Sequence, residues 1–434
     1  MRKWFNDRHF RSLLKNSGYL AVSRAVAAVG GLISLAFAGR GLGVTAFGLL
    51  ILVHSYVQAA SALTKFNSWQ LVVRYGGPAL AAGDEGRFKQ ATGFALGLDL
   101  SSGLLTMVGA ILLLPLVAPW FGLPDDLLYY AALYCLLVPT MSAGAPSGAL
   151  RALDRFDLLS WQGTVQPNLR AVLTLVAWWQ GWSLPAYLAI WFLTDLAGDL
   201  LLWILAIREL HRKKLLQGLR ATLRPDGLDR GWRFALTINL NSSVNAAWGP
   251  LSRLLVGGVL HPAAAGLYRV ASSIADAAQR PSDFLNKAFY PEVMRLDHRS
   301  KKPWKLMLRA TAFSAIIGVA MCLLAILAGE WLLRVAFGPE FVAAYGVLVV
   351  LLGVPLVAMI SFPWPAMLHA LNRAPVQLAS NIFGVLVYVA GLFPLVERFG
   401  LVGAGLAFLI GRIAMAGLMA VALIGERRRL AAAS

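Results

Sequence analysis

Long apolar stretches alternate with short polar segments along the whole 434-residue chain, and this pattern predicts membrane-spanning helices. An α-helix needs about 20 mostly apolar residues to cross a bilayer, and most of the apolar stretches reach that length. We therefore predict an all-α polytopic membrane protein with twelve transmembrane helices, TM1 to TM12. In chain order they cover residues 18–38, 47–63, 91–117, 127–149, 161–179, 185–207, 234–259, 266–285, 306–327, 343–368, 376–396 and 401–424.

The chain carries an internal repeat with an offset of 218 residues, close to half its length. Residues 150–155 (LRALDR) return as residues 368–373 (LHALNR), and the same offset superimposes residues 42–66 on residues 260–284. Two homologous halves of six spans each predict two lobes related by a parallel pseudo-twofold axis along the membrane normal. The predicted domains are a cytoplasmic amphipathic N-terminus (1–16), an N-lobe with TM1–TM6 (17–218) and a C-lobe with TM7–TM12 (219–434).

Positive charge is distributed unequally between the two sides of the predicted membrane. Segments on the side of the N-terminus hold 31 Lys and Arg, Arg170 among them, whereas the other side holds Arg40, Arg334 and Arg398. By the positive-inside rule, both termini are cytoplasmic and the protein lies in the cytoplasmic membrane. Topology and anionic lipid headgroups account for the net charge of +18, so no nucleic-acid partner is required.

The sequence lacks motifs for cofactor and metal chemistry. It has no Walker loop, its six His have no metal-ligand spacing, and Cys135 and Cys322 both fall inside predicted spans. We therefore predict no cofactor, no metal site and no disulfide framework.

Ten ionisable residues are assigned to the membrane interior of the predicted spans, where each costs at least ~2.5–3.5 kcal/mol and so indicates a function. The arginines are expected to bind an anionic group such as a phosphate, in the order Arg24 and Arg269, then Arg280 and Arg253. Polar side chains on TM2 and TM7 complete the predicted substrate site, namely His54, Gln58, Asn241 and Asn245. The remaining membrane charges are Asp99, Asp195, Asp199, Asp276, Asp283 and Arg412.

TM8 carries a charged stripe, because Arg269, Asp276, Arg280 and Asp283 fall within an arc of roughly 60° on a helix. A stripe of this kind lines a wet cavity, which we favour, or pairs internally through neighbours three and four residues apart. We expect TM1, TM2, TM7 and TM8 to surround the cavity.

Asp195 and Asp199 lie four residues apart in the middle of TM6. Like charges at this spacing favour protonation of one carboxylate, so these two residues and Asp276 are the predicted ion-coupling residues. The alternative is a structural pair bonded to an arginine such as Arg412. Asp99, nearer the cytoplasmic end of TM3, is expected to snorkel or to cap a local network.

Short motifs in a fixed order add a resemblance to a known family. They are residues 40–48 (RGLGVTAFG), 150–156 (LRALDRF), 265–268 (AGLY), 289–291 (FYP), 337–338 (FG) and 399–404 (FGLVGA). In these the chain resembles the polysaccharide biosynthesis (oligosaccharide flippase, Wzx-like, O-antigen type) family of the multidrug/oligosaccharidyl-lipid/polysaccharide (MOP) exporter superfamily.

The resemblance implies a MOP/MATE-like architecture of twelve helices in two lobes. It further implies alternating access that moves a polyprenyl-diphosphate-linked oligosaccharide, the repeat unit of an O-antigen or exopolysaccharide, across the cytoplasmic membrane. Cationic residues in the lumen would hold the diphosphate or acidic sugars, which fits Arg24 and Arg269. The implied partners are the lipid-linked oligosaccharide, H+ or Na+, the bilayer and assembly proteins such as a polysaccharide polymerase, and no enzyme activity is expected.

Four alternatives remain open. A drug/cation antiporter of the same superfamily usually has an acidic cavity, against which Arg24 argues. A lipid II flippase shares the cationic cavity but typically has two more spans. A membrane glycosyltransferase or polymerase needs acid/base groups in a sizeable outer loop, and the outer loops here are short. A non-transporting scaffold would not need ten membrane charges.

Overall fold

The computed structural model describes the backbone of residues 8–294, 296, 302–371 and 373–432. Within that part, the side chains of residues 8–21, 237–238, 240–242, 280–284, 286–288, 290–291, 374 and 430–432 are outside the description. The described chain is almost entirely helical. Its α-helices are α1 (Arg8–Thr64), α2 (Trp69–Leu71), α3 (Gly77–Ala81), α4 (Glu85–Val117), α5 (Leu128–Cys135), α6 (Val138–Met141), α7 (Gly144–Ala152), α8 (Phe156–Trp179), α9 (Leu184–Arg212), α10 (Gly231–Val259), α11 (Pro262–Met294), α12 (Lys302–Leu332), α13 (Tyr345–Leu351), α14 (Gly353–Ser361), α15 (Pro363–Ala370) and α16 (Ala374–Ala432).

Six helical stretches of the described chain are long and apolar enough to cross a membrane, and a bent pair at residues 125–152 brings the number to seven. Two of them, Val22–Ala81 and Pro375–Arg429, have 60 and 55 residues. At about 1.5 Å per residue each exceeds twice the roughly 30 Å hydrocarbon core, so each has room for two crossings. The predicted all-α polytopic class is confirmed, while the number of twelve spans stays a prediction.

The two longest helices each bend at a glycine. Gly43 in α1 has φ 68° and Gly400 in α16 has φ 55°, which are backbone conformations that favour glycine. These glycines lie between the predicted TM1 and TM2 and between TM11 and TM12. The predicted span boundaries therefore correspond to bends in continuous helices.

The fourth and tenth predicted spans are both broken into short helices, α5–α7 and α13–α15. Proline begins or nearly begins several of the pieces, including Pro139 in α6 and Pro363 in α15, because proline cannot donate the backbone hydrogen bond of a continuing helix. The repeat offset superimposes α7 on α15, so the interruption belongs to the duplicated pattern.

Each copy of the repeated six-residue motif ends its helix in the same turn. The N–H of Arg155 donates to the carbonyl of Leu150 at 2.8 Å, and the N–H of Arg373 donates to the carbonyl of Leu368 at 2.8 Å. Bonds of this kind satisfy carbonyl groups at the end of a helix that have no hydrogen-bond partner within the helix. The strongest sequence match between the halves is therefore a helix-terminating turn.

The helices form two compact units. The first consists of the described residues up to Gly43 together with Leu52–Leu251, and the second consists of Val44–Ile51 together with the described residues from Ser252 onward. Buried aromatic side chains such as Phe88 and Phe94 lie in the core of the first unit, and the second packs Trp304 against a separate core. The lobe boundary between residues 218 and 219 stays a prediction.

Candidate functional site

A buried polar network in the first unit is centred on Asp195 of α9. One carboxylate oxygen, Oδ1, accepts a hydrogen bond from Arg170 Nη2 at 2.6 Å and another from the side chain of Gln166. The other oxygen, Oδ2, accepts from the Tyr134 hydroxyl at 2.7 Å. The side chains of Arg170 and Asp195 are only 11% and 9% exposed, so this is an ion pair held away from solvent.

His54 and Gln58, two predicted substrate-site residues, lie beside this ion pair. His54 Nε2 is 3.4 Å from Asp195 Oδ2 and 3.3 Å from Gln58 Nε2. One ring nitrogen thus faces both a carboxylate acceptor and an amide donor, and its protonation decides which of them it bonds. The structure therefore brings these two residues together with one of the predicted ion-coupling carboxylates.

Asp199, one helical turn after Asp195, has a different environment. Its Oδ2 accepts a hydrogen bond from Thr140 Oγ1 at 3.2 Å. The negative charge of Asp195 and the positive charge of Lys65 both act on it. Asp199 is half-buried and, among the described residues, accepts a hydrogen bond from one side chain, whereas Asp195 accepts hydrogen bonds from three.

Lys65 connects this region to a third carboxylate. Asp99 is fully buried and accepts hydrogen bonds from the Ser68 hydroxyl and from the backbone N–H of Ala145 at 2.7 Å. Ala145 lies in the first turn of α7, where backbone N–H groups have no helical partner. Asp99 therefore caps a local network, one of its two predicted roles, and the charge of Lys65 acts on it as well.

The position of Arg170 in the structure differs from the one expected from the sequence. The sequence interpretation counted it among residues in cytoplasmic segments, but it is buried in α8 and bonded to Asp195. Helices α8 and α9 form an antiparallel pair joined by a short turn, and residues about equally far from the turn lie opposite each other. Arg170 and Asp195 satisfy this spacing, which is the signal in the sequence that could have found the pair. The arginine partner of Asp195 is thus Arg170 rather than Arg412.

A second cluster of charged side chains lies in the second unit. The charges of Arg269 and Asp276 on α11 both act on Arg253 of α10, which is 5% exposed. Asp276 also acts on Arg412 of α16. Among the described side chains, the cluster therefore combines three arginines with one carboxylate. Arg412 was recognised as a membrane charge but not as a member of the predicted substrate site.

The other predicted site residues fall elsewhere. Arg24 is exposed on α1 in the first unit, where its charge acts on Arg151 of α7. Asn245 is exposed on α10. The side chains of Asn241, Arg280 and Asp283 lie outside the described residues, so of the TM8 stripe only Arg269 and Asp276 are described.

The fold defines the class of protein. The structure is similar to the inward-facing conformation of a multidrug resistance MATE family transporter of the MOP superfamily, with a TM-score of 0.70 and 16% identity, covering 93% of this chain and 95% of that chain. It is also similar to the lipid II flippase MurJ in an inward closed conformation, with a TM-score of 0.67 and 11% identity, covering 93% and 87%. The chain thus has the fold of MOP-superfamily membrane transporters.

Sequence comparison identifies the family. Residues 13–297 match the family described as polysaccharide biosynthesis protein. The inner membrane protein YghQ of Escherichia coli (strain K12) is 38% identical over 347 residues, which are 80% of this chain and 98% of YghQ. The chain belongs to the polysaccharide biosynthesis protein family, and the resemblance inferred from its motifs is confirmed.

Proposed function

We propose that this protein is a flippase that moves a polyprenyl-diphosphate-linked oligosaccharide across the cytoplasmic membrane by alternating access. The observation that carries the proposal is the cationic cluster of the second unit, where, among the side chains that the structure describes, Arg253, Arg269 and Arg412 outnumber Asp276. A charged side chain at membrane depth costs free energy, so an excess of arginine is most readily explained by an anionic ligand. A diphosphate matches the planar guanidinium group, which bonds phosphate oxygens in pairs.

The family supports the same class of substrate and the absence of an enzymatic step. Polysaccharide biosynthesis at a membrane requires lipid-linked sugars to change leaflet, and the fold is that of transporters, including one named as a lipid II flippase. YghQ is an inner membrane protein, which supports the same location here. The distribution of Lys and Arg along the sequence supports cytoplasmic positions for both termini. We further propose that an ion gradient drives transport through the carboxylate network that contains the predicted residues Asp195 and Asp199, together with the predicted residue Asp276.

The cationic cluster also separates this function from drug export. A cationic drug would be repelled by the cluster, whereas a diphosphate would be attracted. Arg24 adds positive charge in the first unit, and we propose that it also favours an anionic over a cationic substrate.

The test is translocation in proteoliposomes of a polyprenyl-diphosphate sugar that carries a fluorophore accessible to a membrane-impermeant quencher. Arg253→Ala and Arg269→Ala should each slow translocation by about tenfold or more, since a charge-assisted hydrogen bond contributes about 1.5–3 kcal/mol. Arg334→Ala is the matched control, because Arg334 also lies in the second unit but is exposed and paired with Glu330. Wild-type rates in both variants, together with export of a cationic dye, would instead support the drug antiporter.

A further inference from the structure

The polar network of the first unit has an imbalance of charge. Its carboxylates are Asp99, Asp195 and Asp199, and its permanent cations are Lys65 and Arg170. These groups form one connected set, because Lys65 acts on Asp99 and Asp199, Asp195 acts on Asp199, and Arg170 is bonded to Asp195. With His54 neutral, the described side chains leave one negative charge without a compensating cation. An unbalanced charge is unfavourable at membrane depth, so the network has room for one additional proton.

The hydrogen bonds identify which carboxylate is unsuited to take that proton. Asp195 receives donors at both oxygens, from Arg170 and Gln166 at Oδ1 and from Tyr134 at Oδ2, with His54 facing Oδ2 as well. Donors of this kind stabilise the ionised form. Protonation of Asp195 would leave the buried Arg170 without its counter-ion, which is strongly unfavourable.

Asp199 has the properties expected of the protonated partner. Within the described residues it accepts one hydroxyl hydrogen bond, from Thr140, and it faces the charge of Asp195 one turn away on the same helix. Among the described residues, the titratable and charged groups that act on it from other elements are Lys65 of the chain after α1, the Tyr134 hydroxyl of α5 and, through Asp195, Arg170 of α8. Lys65 is shared with the fully buried Asp99, so it does not neutralise Asp199 alone.

We propose that Asp199 is a proton-binding site, and that Asp195 stays ionised as the fixed anchor that orients Arg170, Tyr134 and His54. This assignment rests on the proposed function only where it concerns coupling, in which Asp199 carries the transported proton. When Asp199 is protonated, the repulsion between the two carboxylates disappears and the charge of Lys65 is available to Asp99. Proton binding would therefore change the forces among α1, α4 and α9 within the first unit.

The proton site can be tested without any transport measurement. Infrared difference spectra of the purified protein in lipid nanodiscs, recorded across a pH titration, would report the C=O stretch of a protonated carboxyl. We expect Asp199→Asn to lose the titrating carboxyl band. Asp195→Asn should retain the band but shift its titration to lower pH, because the negative charge that favours protonation of Asp199 is removed. A band that survives in Asp199→Asn and disappears in Asp195→Asn would overturn the proposal, as would a titration that is lost only in His54→Gln.

Thermal unfolding gives an independent readout from the same variants. Asn resembles the protonated carboxyl in shape and charge, so Asp199→Asn should leave the melting temperature unchanged or raise it. Asp195→Asn should lower it, because Arg170 then lacks its counter-ion. The opposite order of the two melting temperatures would contradict the assignment.

Coupling is tested last, in proteoliposomes with an imposed proton gradient. Asp199→Asn should abolish the dependence of lipid-linked sugar translocation on the gradient, while the arginine variants of the second unit should lower the rate at every gradient. If the carboxyl band is assigned to Asp199 but translocation ignores the gradient, the coupling role fails and the proton site stands. If wild-type protein moves no lipid-linked sugar, the proposed function fails, again independently of the infrared result.

Discussion

The described charged clusters of the two units have opposite net charge, although a duplication produced both halves of the chain. The first unit sets three carboxylates against two cations, and the second sets three arginines against one carboxylate, among the described side chains. The features that the halves share are backbone features, such as the broken fourth and tenth spans and the turn that follows each of them. The repeated turns and breaks are therefore retained in both halves, whereas the charged side chains have diverged.

One ion pair belongs to the shared features. Arg155 bonds Glu209 near the end of α9 at 2.5 Å, and Arg373 bonds Glu426 near the end of α16 at 2.8 Å. In both copies the repeated turn is thereby tied to a later helix of its own unit. A second arginine, three residues after each glutamate, adds another contact, from Arg212 and from Arg429. The glutamates are 217 rather than 218 residues apart, so an ungapped superposition of the repeat does not align them.

The largest effect expected from this comparison comes from removing one arginine in each unit, the buried Arg170 and the half-buried Arg412. Arg170→Leu should lower the free energy of unfolding by about 3–5 kcal/mol, because it leaves the Asp195 carboxylate buried without its counter-ion. Arg412→Leu should have a smaller effect, because it removes a charge from a cluster that has an excess of the same sign. The measurement is denaturant or thermal unfolding in a mild detergent.

The double variant Arg170→Leu/Asp195→Leu is the control for this prediction. It removes both charges, so it should recover a large part of the stability lost in Arg170→Leu. Equal losses for Arg170→Leu and Arg412→Leu would contradict the idea that the two interiors hold their charges for different reasons.

A second comparison concerns Gly48 and Gly266, which are equivalent in the repeat and lie in contact within the second unit. A methyl group on Gly48 would overlap the carbonyl group of Pro262, which is backbone and cannot move aside easily. A methyl group on Gly266 would lie 3.1 Å from Gly48 N, which is a tighter than usual contact but not an overlap. Gly48→Ala should therefore cost about 1–3 kcal/mol, as overpacking does, and Gly266→Ala less.

Thermal unfolding of the two alanine variants side by side measures this difference. Gly31→Ala is a suitable control, since no heavy atom other than those of its own helix lies within 4 Å of the added methyl. A larger loss for Gly266→Ala than for Gly48→Ala would show that the two positions are not packed as the structure indicates.

The sequence predicted the class and the repeat well, because both depend on features that act over many residues. Apolar stretches of bilayer length indicated the spans, and the matching glycines and leucines indicated the duplication. The polar network was predicted only in part. Asp195, Asp199, His54 and Gln58 were singled out. Arg170 was missed because it was counted with the cytoplasmic charges, although it lies within the predicted TM5. The pairing depends on how α8 lies against α9, which local patterns do not report.

The sequence likewise identified only some of the residues in the charged cluster of the second unit. Arg253 and Arg269 were selected because ionisable residues in spans indicate function, and they lie in one electrostatic cluster. Arg412 was not assigned to that site, since it is about 140 residues from Arg269 in sequence and no short motif links the two. Contacts between residues so far apart in sequence depend on how the helices pack, which the periodicity of a single helix does not report.

The smallest expected effects concern the two Arg–Glu pairs of the repeated turns, and double-mutant cycles with alanine would measure them. The pair in the first unit should have a coupling energy of up to about 1 kcal/mol and that in the second about 0.5 kcal/mol or less, both within the range for partly exposed pairs. The first pair should have the larger coupling energy because it is more buried. The side chains of Arg155 and Glu209 are 25% and 8% exposed, whereas those of Arg373 and Glu426 are 46% and 20% exposed.

The two copies of the repeated turn should also contribute differently to the loss of stability in acid. Arg155 also bonds Asp157, and this bond lowers the pKa of the Asp157 carboxyl below its usual value. A carboxyl whose pKa is lower in the folded state stabilises the protein above its unfolded pKa of about 3.9, and the contribution is lost as pH falls through the folded value. The equivalent position of the second copy is Pro375, which cannot titrate. Asp157→Asn should therefore reduce the acid sensitivity of unfolding by a small amount, because half of the Asp157 side chain is exposed, and Pro375→Ala should leave that sensitivity unchanged. An equal change in both variants would mean that the acid response arises elsewhere than in the turn of the first copy.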